Sequence, residues 1–332
     1  MSNIKQLIKT VLGEKNIARV KLIRDTAGRI GRSARAARDM WRTTSADFLS
    51  HTEKVSVQCL MHIHQIEKAM AVGNTRYLET VKYPNILSKL EELLQLGMSP
   101  DNFTIKASAA VLRSALNQIS GHEEDKKALE DFIAWHDIAM DFRGGVEKIP
   151  SSEIFAHNDF DFGAFVRARH SVRRFKDKIV SREVINEIVR DALYCPSICN
   201  RQPFRVYFSE KPETIKRIKA NTDGFVSPYV HDALIVTCDR SLLLPHEMND
   251  QEYLNGGIFL AYLVMSIHAH GLGSCLFQFL QVNNRQDKIR REFGISPSEV
   301  ISAFVGIGEP EDEVLCACAQ RRAVEEVAVC LD

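Results

Sequence analysis

ALYCPSICNRQPFRVYF, residues 192–208, runs from helix through loop into strand. It takes up the end of REVINEIVRDALY (182–194), whose apolar positions repeat at helical spacing. Pro196 stops that helix, because its ring clashes with the preceding turn and it has no N–H to donate. Ser197, Asn200 and Gln202 then bring small polar side chains and free backbone amides into an irregular loop. A β-branched and aromatic run begins directly after it.

The alternation continues along the second half of the chain. DALIVTCD (232–239) and EVISAFVGIGEP (299–310) read as strands, and helical patterns fall at 181–194, 212–220, 252–270 and 284–293. Strands interleaved with helices predict a layered sheet with helices on its faces. Residues 1–150 have a different texture. VSVQCLMHIHQIEKAM places Val55, Cys59, Ile63, Ile66 and Met70 on one helical stripe. NILSKLEELLQLG, with Gly97 as its C-cap, KASAAVLRSALNQIS and KKALEDFIAWHDIAMDF (126–142) add three more helices. RGGVEKIPSSEIFAHND (143–159) is punctuated by Gly-Gly, Pro and Ser-Ser and reads as a linker. The expected organisation is a helical domain over 1–150 and a layered domain over 151–332.

Composition narrows the function. The chain has 332 residues, with 43 Lys and Arg against 43 Asp and Glu, so no global field points to nucleic acid. The first 42 residues are locally basic, with eleven Lys or Arg against three acids. Two readings of residues 19–42 stand: peripheral contact with an anionic membrane or acidic partner, or a solvated face balanced by acids elsewhere. The start of the chain lacks the apolar core of a signal peptide. The longest apolar run, Gly257 to Ala269, is too short to span a bilayer. Eight cysteines without a C-x-x-C pair read as reduced thiols of a cytoplasmic protein, and no metal site is expected.

Upstream lies RHSVRRF (169–175), three arginines and a histidine in seven positions. R-x-S-x-R-x-F followed by P-S-x-x-N-x-Q-P-F resembles the FMN-dependent nitroreductase family over roughly residues 160–332. HGLGSCLF after the apolar helix, the late strand SAFVGIGEP and the terminal QRRAVEEV follow in the family's order. The resemblance implies an α+β fold of three α/β/α layers around a mixed, mainly antiparallel sheet, preceded here by the all-α region. It also implies a homodimer with FMN at the subunit interface.

Site roles follow from the same resemblance. Arg169 and Ser171 would hold the phosphate, since a planar guanidinium engages two oxygens at once. Arg322 would be a second phosphate arginine. Arg173 would stabilise negative charge on the reduced ring. His170 reads either as a cofactor contact or as a packing residue. Pro196 and Ser197 would shape the loop, Asn200 and Gln202 would bond the ribityl chain or ring edge, and backbone at Gly273 and Ser274 would approach the ring. Gln320 and Phe204 depart from the family pattern, where a basic residue and Trp are more frequent.

The implied activity is oxidoreduction: hydride passes from NADH or NADPH by way of flavin N5 to a small organic acceptor of nitroaromatic, quinone or enone type. The alternative is a flavin-binding scaffold or accessory protein of a polysaccharide-assembly or membrane-associated complex, with little turnover. HQIEKAM in the helical half resembles a motif of N-terminal extensions from polysaccharide-biosynthesis settings. His64 and Glu67 there are either an acid/base pair reaching the flavin site or a surface ion pair.

Overall fold

The computed structural model describes residues 50–73, 83–147, 159–222, 229–244, 250–277, 285–314 and 321–331, together with residues 34, 247, 316 and 317. The basic stretch 19–42, residue 34 apart, and the 150/151 boundary lie outside the described residues.

Among the described residues, four helices of more than one residue build the first half. Helix α1 (His51–Ala71) starts at a capping box: Ser50 Oγ accepts from Glu53 N, and Glu53 Oε2 accepts from Ser50 N at 2.9 Å. Its predicted stripe, Val55 to Met70, is buried throughout. Helix α2 (Tyr83–Gln95) ends as expected at Gly97, whose φ of 88° lets Met98 N reach Leu93 O. Helix α3 (Phe103–Gln118) is capped by Asn102, and helix α4 (Glu123–Trp135) follows. The expected helix over 126–142 is cut short. Asp137 takes a φ of 51° and Ile138 N closes on Ile133 O, a left-handed stop made without glycine. The apolar stripes of α1 to α4 share one core, from Val55 to Ile138.

The segment expected to be a linker packs against this bundle where it is described. A Cβ on Gly144 would fall inside the backbone of Ala110 and Val111 in α3, so the chain passes too close for any side chain.

The second half contains α5 (Phe162–Ala168), α6 (Arg182–Ala192), β1 (Phe204–Tyr207), α7 (Pro212–Ala220), β2 (Asp232–Asp239), α8 (Gln251–Ala269), β3 (Gly273–Phe277), α9 (Arg285–Phe293) and β4 (Glu299–Gly308). The strands form one antiparallel sheet in the order β1-β2-β4-β3. A parallel bridge between Ser171 and Ser274 adds the mixed component.

Strand alternation assigns the layers. Leu234 and Val236 of β2 and Val305 and Ile307 of β4 pack with α6 and α8, through Ile188, Phe259 and Leu263. Ala233, Ile235 and Phe304 face the other way, onto Ile215 of α7 and Ile289 of α9. Both faces are covered, which is why β2 and β4 read as continuous apolar runs. Strand β3 was not expected. Gly271 makes the turn after α8, with a φ of 72°. Gly273 lies inside β3, where a Cβ would come 2.9 Å from Val172. Among the described residues, no helix is long and apolar enough to cross a membrane.

Candidate functional site

The arginine block lies along β3. Val172 N donates to Ser274 O at 3.0 Å, and Val172 and Phe175 turn into the core. Their neighbours therefore face outward. Arg174 is neutralised: it sits 3.8 Å over the Tyr229 ring and its Nε donates to Glu311 Oε2 at 2.8 Å. Lys176 is bound by Glu309 at 2.7 Å and Asp312 at 3.2 Å. Among the described residues, no carboxylate pairs with Arg169 or Arg173. Arg173 Nη1 donates only to its near neighbour Ser171 O, at 3.2 Å. Both guanidiniums act on Cys275 in β3: burial pushes that thiol up, and Arg173 and Arg169 pull it the other way. Two uncompensated cations and the Ser171 hydroxyl thus share one neighbourhood. His170 is exposed beside them.

The loop 196–202 is held rigidly behind β1. Ile198 N donates to Asn255 Oδ1 of α8 at 2.9 Å, and Asn255 Nδ2 is tied to Gln251 O at 2.7 Å. Ser197 Oγ accepts from Gln202 N at 3.1 Å. The Arg201 side chain is sequestered, with Nη2 donating to Glu247 Oε2 at 2.6 Å and Nε to Ile198 O at 3.3 Å. Phe204, in the position where Trp is more frequent, stacks on Phe259 with ring centroids 4.5 Å apart. Pro196 and Asn200 are exposed. Four non-glycine residues among those described have positive φ, and three are in this loop: Cys199 (47°), Asn200 (49°) and Gln202 (49°). Such backbone persists only where the surroundings over-determine it, and it concentrates at functional sites.

These two groups of predicted site residues do not meet within one chain. Ser274, Ile307 and Asp232 share a row across β3, β4 and β2, whereas Phe204 pairs with Cys238 at the far end of β2. At about 3.3 Å per residue and about 4.8 Å per strand, Ser274 and Phe204 lie roughly 25 Å apart, at diagonal corners of the sheet. Arg322 joins neither group. Its Nη1 pairs with Glu326 at 3.3 Å, in a segment whose residues 321–331 are all exposed.

The helical half meets the loop instead. A cavity of about 150 Å³ opens between α1, α3 and the loop. Leu60, Ile63, Phe103, Ala107, Val111 and Phe142 supply its apolar wall. His64, Glu67 and Arg143 from the helical side meet Cys199, Asn200 and Gln202 from the loop. His64 Nδ1 lies 3.5 Å from Glu67 Oε2, and the two side chains are only 24% and 30% exposed. Burial pushes the Glu67 carboxyl above its ordinary value, opposed by His64 and the Gly145 backbone. A freely solvated surface pair would not feel that burial.

Residues 166–240, which span the arginine block, the loop and β1, match the model of the nitroreductase family. This part of the chain is similar to that family. A protein of Archaeoglobus fulgidus, provisionally named NADH dehydrogenase/NAD(P)H nitroreductase, is 27% identical over 150 residues, or 45% of this chain and 84% of that one. A protein of the same provisional name from Methanothermobacter thermautotrophicus is 27% identical over 150 residues, covering 44% of this chain and 76% of its own. A solved structure of a provisionally named nitroreductase in complex with FMN, from Desulfovibrio desulfuricans, is 20% identical with a TM-score of 0.44, covering 52% and 96% of the two chains.

Sequence reasoning missed two supports of this candidate site. Arg201 sits in the middle of the quoted loop motif, and its charge between two candidate ligands was the available signal. Asn255 precedes the apolar run of α8 and carries the loop on its side chain. A polar residue on an otherwise apolar, buried helix face marks such an anchor.

Proposed function

We propose that the chain is an FMN-dependent oxidoreductase that takes hydride from NADH or NADPH and passes it to a small organic acceptor. The observation that carries this reading is the pair Arg169 and Arg173, free of carboxylates beside β3 while the cations that follow them are neutralised. A phosphorylated flavin has two electron-rich ends, and this donor set suits both. Arg169 and Ser171 bind the phosphate. Arg173 faces the ring edge that becomes negative on reduction. Ser197, Asn200 and Gln202 bond the ribityl chain or ring from a loop already fixed in shape, and the backbone of Gly273 and Ser274 borders the ring. Bound FMN supplies reversible two-electron chemistry at N5, so the protein needs no nucleophile of its own.

The diagonal separation of the two groups supports a homodimer, with each flavin held by the arginine block of one copy and the loop of the other. The exposed terminal segment supports the same view, since it leaves Arg322 available to the phosphate across that interface. The chain then comprises a helical domain over 1–150 and a flavin domain over 151–332. The described cysteines are free thiols, which supports a cytoplasmic setting.

The purified protein, reconstituted with FMN and freed of excess, should be yellow. It should bleach when NADH or NADPH is added without oxygen, and regain colour with benzoquinone. A protein that is colourless once the excess FMN is removed contradicts the reading.

A further inference from the structure

The cavity between α1, α3 and the loop is unexplained by flavin binding, yet it shares Asn200 and Gln202 with the flavin loop. Its about 150 Å³ equals the volume of an apolar protein cavity that accepts one benzene ring. Pockets for larger organic ligands begin at about 300 Å³. The wall of Leu60, Ile63, Phe103 and Val111 suits a ring face. The half-buried charge of the cavity is already matched, since Glu67 faces His64 at 3.5 Å, and Arg143 stands exposed at the rim beside Glu147. A charged ligand would meet an opposing residue it cannot displace cheaply. A neutral one finds the His64 imidazole and the Asn200 and Gln202 amides ready to bond an oxygen substituent. His64 Nδ1 lies 3.5 Å from Glu67 Oε2, longer than a full-strength hydrogen bond, so a ligand oxygen can compete for it.

We infer that this cavity is the electron-acceptor site, that it takes a neutral single-ring compound carrying an oxygen acceptor, and that it serves the flavin held by the other copy of the chain. The inference rests on the oxidoreductase reading above. The trans arrangement follows from the sheet, whose diagonal puts the loop roughly 25 Å from its own arginine block. His64 and Glu67 are then positioning residues supplied by the helical domain, and the limit to one ring is set by Ala107 and Val111 of α3.

The test uses the FMN-loaded protein labelled with 13C at histidine Cε1, and benzamide, a neutral one-ring amide that reduced flavin does not reduce. The His64 signal is the one absent from His64→Gln. Benzamide should shift it saturably, and 2-naphthamide should not. Ala107→Phe fills the cavity from a half-buried position and should weaken benzamide at least tenfold with FMN still bound. Benzamide should also perturb the visible flavin band. In dimers mixed from Arg169→Ala and Ala107→Phe chains, half of that perturbation should return, because one site keeps both an intact arginine block and an intact cavity. An unmoved His64 signal in a protein that binds FMN and bleaches overturns the acceptor site and leaves the oxidoreductase reading standing. So does a shift that survives Ala107→Phe. No recovery in the mixed dimers overturns the trans arrangement. A wild-type protein that fails to bind FMN strikes the oxidoreductase reading instead.

Discussion

Arg169 and Arg173 are asked for different things, and single substitutions separate them. Arg169→Ala removes the proposed phosphate contact and should weaken FMN retention in either redox state, by about ten- to a hundredfold for a charge-assisted bond of ~1.5–3 kcal/mol. Arg173→Ala removes the proposed contact to the ring edge, one that would strengthen on reduction. It should lower the flavin midpoint potential by roughly 30–60 mV in a spectroelectrochemical titration. An unchanged potential would remove Arg173 from the ring edge. Asp232 offers a test independent of flavin. It is buried at the start of β2 and accepts from Val180 N at 3.0 Å and Ala233 N at 2.7 Å. Burial pushes its carboxyl from 3.8 up to about 6, against those two N–H groups. A raised carboxyl favours the folded state below the unfolded value and loses that advantage as pH rises through about 6. The stability gap between wild type and Asp232→Asn in urea should therefore narrow by about 2 kcal/mol between pH 4.5 and 7.5. A gap that widens would mean the folded carboxyl is not raised. At this scale the sequence spoke clearly through Arg169, Ser171 and Arg173, whose spacing is a motif. It was silent on which cations are neutralised, because Glu309 and Glu311 reach the block from the far end of β4.

At the scale of elements, the loop 196–202 depends on α8. Asn255→Ala deletes the acceptor for Ile198 N–H, worth about 1 kcal/mol net. FMN affinity should fall about fivefold while the thermal midpoint of the flavin domain moves little, as read by fluorescence titration and calorimetry. An unaffected affinity would mean the loop holds its shape without α8. Gly144 probes the packing of the chain against α3. Gly144→Ala forces a methyl into the α3 backbone and should cost about 1–3 kcal/mol, seen as a lower unfolding temperature. Periodicity made α1, α2, α6, α7, α8, β2 and β4 legible in the sequence, since each buries a full face or stripe. Two elements and one boundary escaped it. Helix α5 has only seven residues, too few to show a period. Five-residue β3 follows a glycine turn and is too short for a period to declare itself. The end of α4 is set by Asp137 in a left-handed conformation, where glycine is the expected marker.

At the scale of the molecule, strand order decides what the motifs mean. Neither the β1-β2-β4-β3 order nor the cavity between the two halves can be read from residue spacing, because both depend on contacts between distant segments. On the proposed reading, the diagonal they create makes FMN binding a property of two chains. Tyr253, Leu254 and Tyr262 on the outer face of α8 are exposed, as are Val324, Val327 and Leu331 in the terminal segment. Large apolar side chains exposed in this way mark interaction surfaces, and the proposed dimer would cover them. Leu254→Asp should convert the dimer to monomer in sedimentation velocity and weaken FMN at least tenfold together with it. A monomer that keeps wild-type FMN affinity would refute the shared site.

The most direct measurement is a crystal structure of the protein grown with FMN. It should place the phosphate on Arg169 and Ser171 of one copy, the ring edge at Arg173, and Asn200 and Gln202 of the second copy against the same flavin. A flavin seated elsewhere, with Arg169 and Arg173 turned to solvent, would contradict the account.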